Sequence, residues 1–147
     1  MKQLKKWLMI LVFRQKMSDL TTLEDNLLPV PLGKEELHRL AMNIIGKELE
    51  KDNYEFLSIN SSLEKNPQFV CTKNKQLHFI IVKAILYPEN PKTFEIKNLN
   101  KILDHCTKFE AKLLCAKVGL ANSDDYELPL FKNSSYIVNY AGIQEIN

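Results

Sequence analysis

The side chains best suited to metal or nucleophilic chemistry in this chain are its cysteines and histidines, three of each. They are Cys71, Cys106, Cys115, His38, His78 and His105. No Cys-x-x-Cys pair occurs, and His105 beside Cys106 is the only adjacent combination, so the spacing gives no sign of a zinc site. The Gly-x-Ser-x-Gly pattern of a serine nucleophile is also missing. We therefore expect reduced cysteines in a core, histidines that pack or lie on the surface, and neither a metal nor another cofactor.

Nucleotide binding and calcium binding are disfavoured by the sequence as well. The four glycines are scattered singly, so no glycine-rich loop could cradle a phosphate group. Residues 122–125, with the sequence Asn-Ser-Asp-Asp, lack the alternating ligands and the closing glutamate of a calcium loop. This segment predicts an ordinary turn.

The length and composition of the chain are those of one globular domain. The chain has 147 residues, of which 45% are hydrophobic and 26% charged, so it can bury a core and is not expected to be disordered. Its net charge of +2 is too small to indicate a nucleic-acid partner, because dedicated binders carry a concentrated basic face.

The N-terminal segment combines basic and apolar residues. Lysines precede the apolar run at residues 7–13, but Arg14 and Lys16 follow it at once and no small-residue cleavage site is present, which disfavours export. Seven apolar residues fall far short of the roughly 20 that span a bilayer as a helix. We predict a cytoplasmic protein. Residues 1–16 then dock on a partner or on the domain itself, lie on a membrane surface, or form a dispensable extension before Met17. The side chains that would dock are Trp7, Leu8, Leu11 and Phe13.

Hydrophobic periodicity predicts an α/β domain at residues 34–147, after a segment at 1–33 that ends in a proline-containing arm. We predict helices at 34–51 and 94–112 and strands at 54–59, 69–72, 77–87, 113–120 and 136–140. The strand at 77–87 is long and almost wholly apolar, so it should be central. Lys73-Asn74-Lys75 before it should form the turn of a hairpin.

This order of elements resembles the core of the PD-(D/E)xK nuclease superfamily over about residues 34–120. The resemblance implies a restriction-endonuclease-like core of helix, three-stranded meander, helix, strand and strand, here with an N-terminal arm. In that superfamily an aspartate near the start of the second strand and a Glu/Asp-x-Lys tripeptide in the third bind a divalent cation. Carboxylates suit this role because magnesium prefers hard oxygen ligands.

The residues that would carry this chemistry depart from the superfamily pattern. Asn66-Pro67-Gln68 enters the second strand where the superfamily has Pro-Asp, and Ile81-Val82-Lys83 stands where it has Glu-Val-Lys. Gln68, Ile81 and Lys83 are therefore vestigial candidates, with the lysine kept and both acids lost. Metal-dependent hydrolysis at this place is not expected, unless Glu64 or a glutamate of the first helix supplies a displaced site.

The resulting prediction is a non-catalytic binding protein on a degenerate nuclease-like fold, docking on a larger protein partner. Two alternatives stay open: a metal-dependent nuclease with a displaced site, and a nucleic-acid-binding protein. The second would use basic residues near the meander, namely Lys65, Lys73, Lys75, Lys83 and Lys92. A membrane surface stays open as a partner of residues 1–16.

Overall fold

The computed structural model describes residues 28–147 and shows an α/β fold of two helices and a six-stranded mixed sheet. In chain order the elements are α1 (Lys34–Lys51), β1 (Glu55–Ile59), β2 (Phe69–Lys73), β3 (Gln76–Leu86), α2 (Leu99–Lys108), β4 (Lys112–Asn122), β5 (Tyr136–Asn139) and β6 (Gln144–Ile146). The predicted docking side chains Trp7, Leu8, Leu11 and Phe13 lie outside the described residues, so their role stays a prediction. Neither described helix is both long and apolar enough to cross a membrane.

Helix α1 has the bounds that its apolar stripe predicts. Leu37, Ala41, Ile45 and Leu49 recur every four residues and are all buried, which places one continuous face of the helix against the sheet. At its N-terminus the Glu36 carboxylate accepts a hydrogen bond from the backbone N–H of Gly33 at 3.4 Å. Helix and sheet together form the larger part of the core.

The sheet runs in the order β1-β2-β3-β4-β5, and β6 pairs with β4 beside β5. The pairs β1–β2 and β2–β3 are antiparallel, with Lys73 opposite Gln76 across the predicted hairpin turn. Strands β3 and β4 are parallel, which requires the crossover that α2 provides. The prediction that the third strand is central is confirmed.

The alternation of side chains along β3 assigns the two faces of the sheet. Ile80 and Val82 pack in the cluster beneath α1, whereas Phe79 and Ile81 pack with α2. Both faces of β3 are buried, which explains its almost continuous apolar sequence.

The predicted elements differ from the structure most clearly at α2, at the end of β4 and at the C-terminus. Helix α2 covers Leu99–Lys108 rather than residues 94–112, because Asn98 before it and Glu110 after it adopt left-handed backbone conformations, with φ of 59° and 53°. Strand β4 extends two residues beyond the predicted end, and the short strand β6 at the C-terminus was not predicted.

The end of the N-terminal arm is anchored to the domain. Pro31 forms an isolated antiparallel bridge with Phe131, and the N–H of Leu32 donates to the carbonyl of Leu130 at 2.8 Å. A second backbone hydrogen bond, 3.0 Å long, runs from the Lys132 N–H to the Val30 carbonyl. The described part of the arm therefore lies beside the loop that follows β4.

Candidate functional site

Gln68, at the first vestigial position, is a structural residue. Its side chain is fully buried. Its amide nitrogen donates to the Lys65 carbonyl at 2.8 Å and to Asn66 Oδ1 at 3.0 Å, and its Oε1 accepts from the Val82 N–H at 2.8 Å. The amide thus pairs with the backbone of β3 at the residue just before β2 begins. An aspartate could not reproduce this pattern because an ionised carboxylate donates no hydrogen bond.

Ile81 and Lys83, the other two vestigial positions, lie on the same face of β3. Ile81 is fully buried in the cluster under α2 and offers no ligand atom. Lys83 is half-buried and pairs in register with Lys117 of β4, and its charge interacts with Cys115. Burial lowers the pKa of the Lys83 ammonium, because desolvation disfavours its charged form.

A cleft opens beside Lys83, where β3 extends past the end of its antiparallel partner β2. In the described part of the chain, no strand pairs with the β2 side of β3 beyond Ile80. Past Ile80, the hydrogen bond from the Val82 N–H to the Gln68 side chain extends the contact on this side to Val82. The cleft has a volume of about 600 Å³. Its lining comes from α1, the loop between β1 and β2, β3 and the segment after β3, and includes Lys34, Leu37, His38, Leu63, Ala84 and Phe94. It lies at the carboxyl end of β3, the end at which α/β sheets commonly bind ligands.

His38 is the unusual side chain of this cleft. It is 3% exposed, and within residues 28–147 its Nε2 has no hydrogen-bond partner. Burial, and to a lesser extent the positive charge of Lys83, lowers the pKa of the imidazole, which favours the neutral form. A buried nitrogen without a partner costs about 1–3 kcal/mol, so the burial of this imidazole is a cost that the packing around α1 must offset.

None of the acids considered for a displaced metal site lines the cleft beside Lys83. Glu35 pairs with Arg39 at 3.6 Å, Glu36 with Lys132 at 3.6 Å, and Glu48 with Lys51 at 3.4 Å. Among residues 28–147 no three histidines, cysteines or acids form a group that could hold a metal ion. The carboxylate that does line the cleft is that of Glu89.

The basic residues considered for nucleic-acid binding are spread over the fold. Lys73 lies over the ring of Tyr54, 4.8 Å from its centroid, at the hairpin end of β3. Lys75 and Lys83 are eight residues apart along the same strand region, which corresponds to about 26 Å at about 3.3 Å per residue. Lys92 lines a separate cleft beside Lys117 and Gly142. These lysines do not form one basic stripe.

An exposed apolar patch occupies the carboxyl end of the parallel pair β3–β4. Its members are Leu86, Tyr87, Tyr126 and Leu128, which are 40–48% exposed. The two tyrosine rings meet edge to face, with centroids 5.4 Å apart. Exposed acidic residues, Glu89, Asp125 and Glu127, are neighbours of the patch in the sequence. We call these four apolar residues the tyrosine patch.

The cysteines and the acidic turn match their predictions. Cys71, Cys106 and Cys115 are all buried and free. Burial raises the pKa of Cys71 and of Cys115 to about 11, so both stay protonated at neutral pH. Asn122 Oδ1 accepts a hydrogen bond from the Asp124 N–H at 2.9 Å, which confirms the turn at residues 122–125.

A family model matches residues 35–146, and its description is a domain of unknown function, DUF8840. The chain belongs to this family. No curated protein and no solved structure matches the chain. The DUF8840 match starts in the first turn of α1 and ends at the last residue of β6, so it includes both helices and all six strands.

Two features of this DUF8840 domain were missed in the sequence. His38 precedes Met42 by four residues and Ile45 by seven, so all three side chains lie on one face of α1. This spacing could have predicted that the histidine is buried, whereas the sequence analysis left open whether it packs or lies on the surface. The tyrosine patch had no such signal, because its two halves are almost 40 residues apart and meet only through the parallel pairing of β3 with β4.

Proposed function

We propose that this chain is a non-catalytic binding protein on a degenerate, restriction-endonuclease-like core, and that it docks on a larger protein partner through the tyrosine patch. The observation that carries the proposal is the pair Tyr87–Tyr126 with Leu86 and Leu128, exposed together at one end of the sheet. Tyrosine combines a large apolar ring with a hydrogen-bonding hydroxyl, and it is enriched in the residues that dominate binding energy at protein interfaces.

The order of elements supports the restriction-endonuclease-like core. Helix α1 precedes the antiparallel meander β1-β2-β3, and α2 crosses over to β4, which pairs in parallel with β3. The order is that of the superfamily core which the sequence resembles. Gln68 and Ile81, where that superfamily has metal-binding acids, serve the backbone and the core. These contacts support a protein that binds rather than cleaves.

The patch favours a partner segment that is both basic and apolar. Glu89, Asp125 and Glu127 are exposed beside it in the sequence and would attract lysines or arginines, while the tyrosines and leucines would bury apolar side chains. The sequence-based proposal that Trp7, Leu8, Leu11 and Phe13 also contact the partner is compatible with this arrangement. We take the occupant of the tyrosine patch to be a segment of the partner.

The test is site-specific photo-crosslinking in the native cells. A photoreactive phenylalanine replaces Tyr126 in the full chain. The matched control carries it at Phe109, which is 56% exposed at the opposite end of the sheet. We expect one protein to be crosslinked through Tyr126 and not through Phe109, and the adduct to map to a segment that contains basic and apolar residues.

Three results would refute the docking proposal. Equal crosslinking at both positions, or none at Tyr126, would show that the patch selects no partner. An adduct that maps to residues 1–16 of the chain itself would assign the patch to an intramolecular contact. The nuclease alternative is tested separately, by incubating the chain with Mg²⁺ or Mn²⁺ and single- or double-stranded DNA and RNA. Cation-dependent cleavage that is lost in Lys83→Ala would overturn the non-catalytic proposal.

A further inference from the structure

We propose that the cleft between β4 and the turn joining β5 to β6 binds the phosphate group of a small phosphomonoester, held by Lys117 and Lys92. The inference goes beyond the docking proposal and does not depend on it, because the described residues that line this cleft include none of the tyrosine patch. They include none that line the cleft beside Lys83 either.

The cleft lies at a gap along one edge of β4. Strand β5 pairs with Gly119–Asn122 and β6 with Leu113–Cys115, so in the described part of the chain residues 116–118 have no partner strand on that side. Between β5 and β6 the chain leaves the sheet through Gly142, whose φ of 97° is left-handed. The cleft has a volume of about 320 Å³, which is within the range of small-molecule sites.

Strand register places the polar lining of the cleft on one face of the sheet. Side chains alternate along β4, so Cys115, Lys117 and Gly119 lie on the side on which α2 packs. Gln144 pairs with Cys115, and Asn139 pairs with Gly119, so both amide side chains project to the same side. Lys117 therefore lies between two amide groups that line the same cleft.

Lys117 and Lys92 supply the charge. Lys117 is partly buried, and its ammonium group donates one hydrogen bond to the Phe94 carbonyl, which leaves two N–H groups for a ligand. No ion pair of the described residues includes either lysine, and none of the described lining residues is acidic. Two cations without ion pairs match a phosphomonoester, which carries a charge of about −1.5 to −2 at pH 7.

The amides of Asn139 and Gln144 supply neutral donors. Within residues 28–147 neither side chain has a hydrogen-bond partner, so both can donate to a ligand. The next residue after Gln144, Glu145, projects to the other face of the sheet and pairs with Lys112 at 3.9 Å. The cleft thus combines positive charge with several donors, which is the combination that phosphate oxygens recruit.

The charge and the volume favour a small phosphomonoester over a nucleic-acid strand. An internal phosphate of a nucleic acid carries a single negative charge, and two of its oxygens are ester links. A cleft of about 320 Å³ holds one small molecule and not a continuous strand. A terminal phosphate group on a small molecule fits both the two lysines and the available space.

The test titrates glycerol 3-phosphate into the purified full chain and follows its binding by calorimetry and by the backbone ¹⁵N signals of the glycines. Gly142 lines the cleft, whereas Gly46 lies on α1 and is the control signal. Dimethyl phosphate serves as the singly charged diester, and an oligothymidine without a terminal phosphate as the nucleic-acid probe. We expect saturable binding of glycerol 3-phosphate that shifts Gly142 and not Gly46, and binding of both other probes that is at least tenfold weaker.

The variants test the charge and the donors separately. Gln144→Glu replaces a donor by an anion at an exposed position, so glycerol 3-phosphate affinity should fall at least tenfold while the chain stays folded. Lys117→Met and Lys92→Met keep the apolar stems and remove the charges. Lys117→Met should also cost at least tenfold, and Lys92→Met less, because Lys92 is exposed. Lys101→Met, on the exposed face of α2, is the matched control and should bind as the wild type does.

Four outcomes would overturn the inference. The first is the absence of a saturable Gly142 shift in the wild type, a measurement that needs no substitution and holds even if Lys117→Met does not fold. The second is equal affinity for glycerol 3-phosphate and dimethyl phosphate, and the third is equal affinity of Gln144→Glu and Lys101→Met for glycerol 3-phosphate. The fourth is oligothymidine binding that is tighter than that of glycerol 3-phosphate and is lost in Lys117→Met, which would assign the cleft to nucleic acid.

Discussion

Replacing Gln68 by glutamate tests whether this residue supports the backbone or is a remnant of a metal site. The substitution keeps the shape of the side chain and one acceptor oxygen for the Val82 N–H. It removes the two hydrogen bonds that the amide donates to the Lys65 carbonyl and Asn66 Oδ1, and it aims an ionised carboxylate at both oxygens. The side chain is fully buried, so water cannot compensate.

The cost follows from those contacts. Each buried polar group left without a partner costs about 1–3 kcal/mol, and a buried charge adds to that. We expect Gln68→Glu to lower the free energy of unfolding by about 3 kcal/mol at pH 8, a large part of the roughly 5–15 kcal/mol of a typical domain.

The loss should depend on pH in a defined direction. Burial raises the pKa of the new carboxyl group above its usual value of about 4.3. The folded state then binds more protons than the unfolded state, so stability falls as pH rises. Below about pH 4 the protonated carboxyl can donate one of the lost hydrogen bonds, and most of the penalty should disappear.

The assay is urea denaturation of the wild type and of Gln68→Glu at pH 4, 6 and 8. Gln144→Glu, at an exposed position of β6, is the matched control and should change stability by less than about 0.5 kcal/mol. A Gln68→Glu variant as stable as the wild type at pH 8, or a penalty that is the same at all three pH values, would refute the structural role of the amide.

Four further predictions concern two glycines, the cysteines and the N-terminal segment. Gly119→Ala should destabilise the domain by about 1–3 kcal/mol in urea, because the added Cβ would lie 2.6 Å from the Asn139 carbonyl oxygen and from Pro91 Cγ. Gly46→Ala, where the nearest atom is 3.6 Å away in Phe69, should instead stabilise α1 by up to about 1 kcal/mol, and a loss there would contradict this view of the packing. Iodoacetamide should leave the cysteines of the folded chain unmodified at pH 7.5 and alkylate all three in urea, since burial raises two of their pKa values to about 11; rapid modification without urea would contradict it. Deleting residues 1–16 should leave the melting temperature nearly unchanged while reducing association with the partner, and a large loss of stability would assign that segment to the core.

The sequence predicted those parts of the fold that depend on local periodicity. Leu37, Ala41, Ile45 and Leu49 mark one face of a helix whatever surrounds them, so the bounds of α1 were correct. The apolar run of β3 likewise indicated a strand buried on both faces. Where bounds depend on single backbone conformations, as at Asn98 and Glu110, residue type alone did not reveal them.

The candidate sites depend on contacts between distant segments, and the sequence predicted them less well. The loss of both acids at Gln68 and Ile81 was visible, but the hydrogen bonds of Gln68 to the backbone of Val82 were not. The cleft combines α1 with the end of β3, and only the structure shows that His38 lies in it without a partner for its Nε2. The orphaned nitrogen is a property of the packed structure, not of a motif.

The central claim is that this domain acts by binding a protein partner, and the apparent mass of the chain in native extract tests it most directly. We predict that the wild type elutes in a complex much larger than the 17.1 kDa chain. Tyr126→Lys, which places a charge in the tyrosine patch, should elute as the free chain, whereas Lys101→Glu on the exposed face of α2 should remain in the complex. Elution of the wild type at its free mass, or retention of Tyr126→Lys in the complex, would contradict the account.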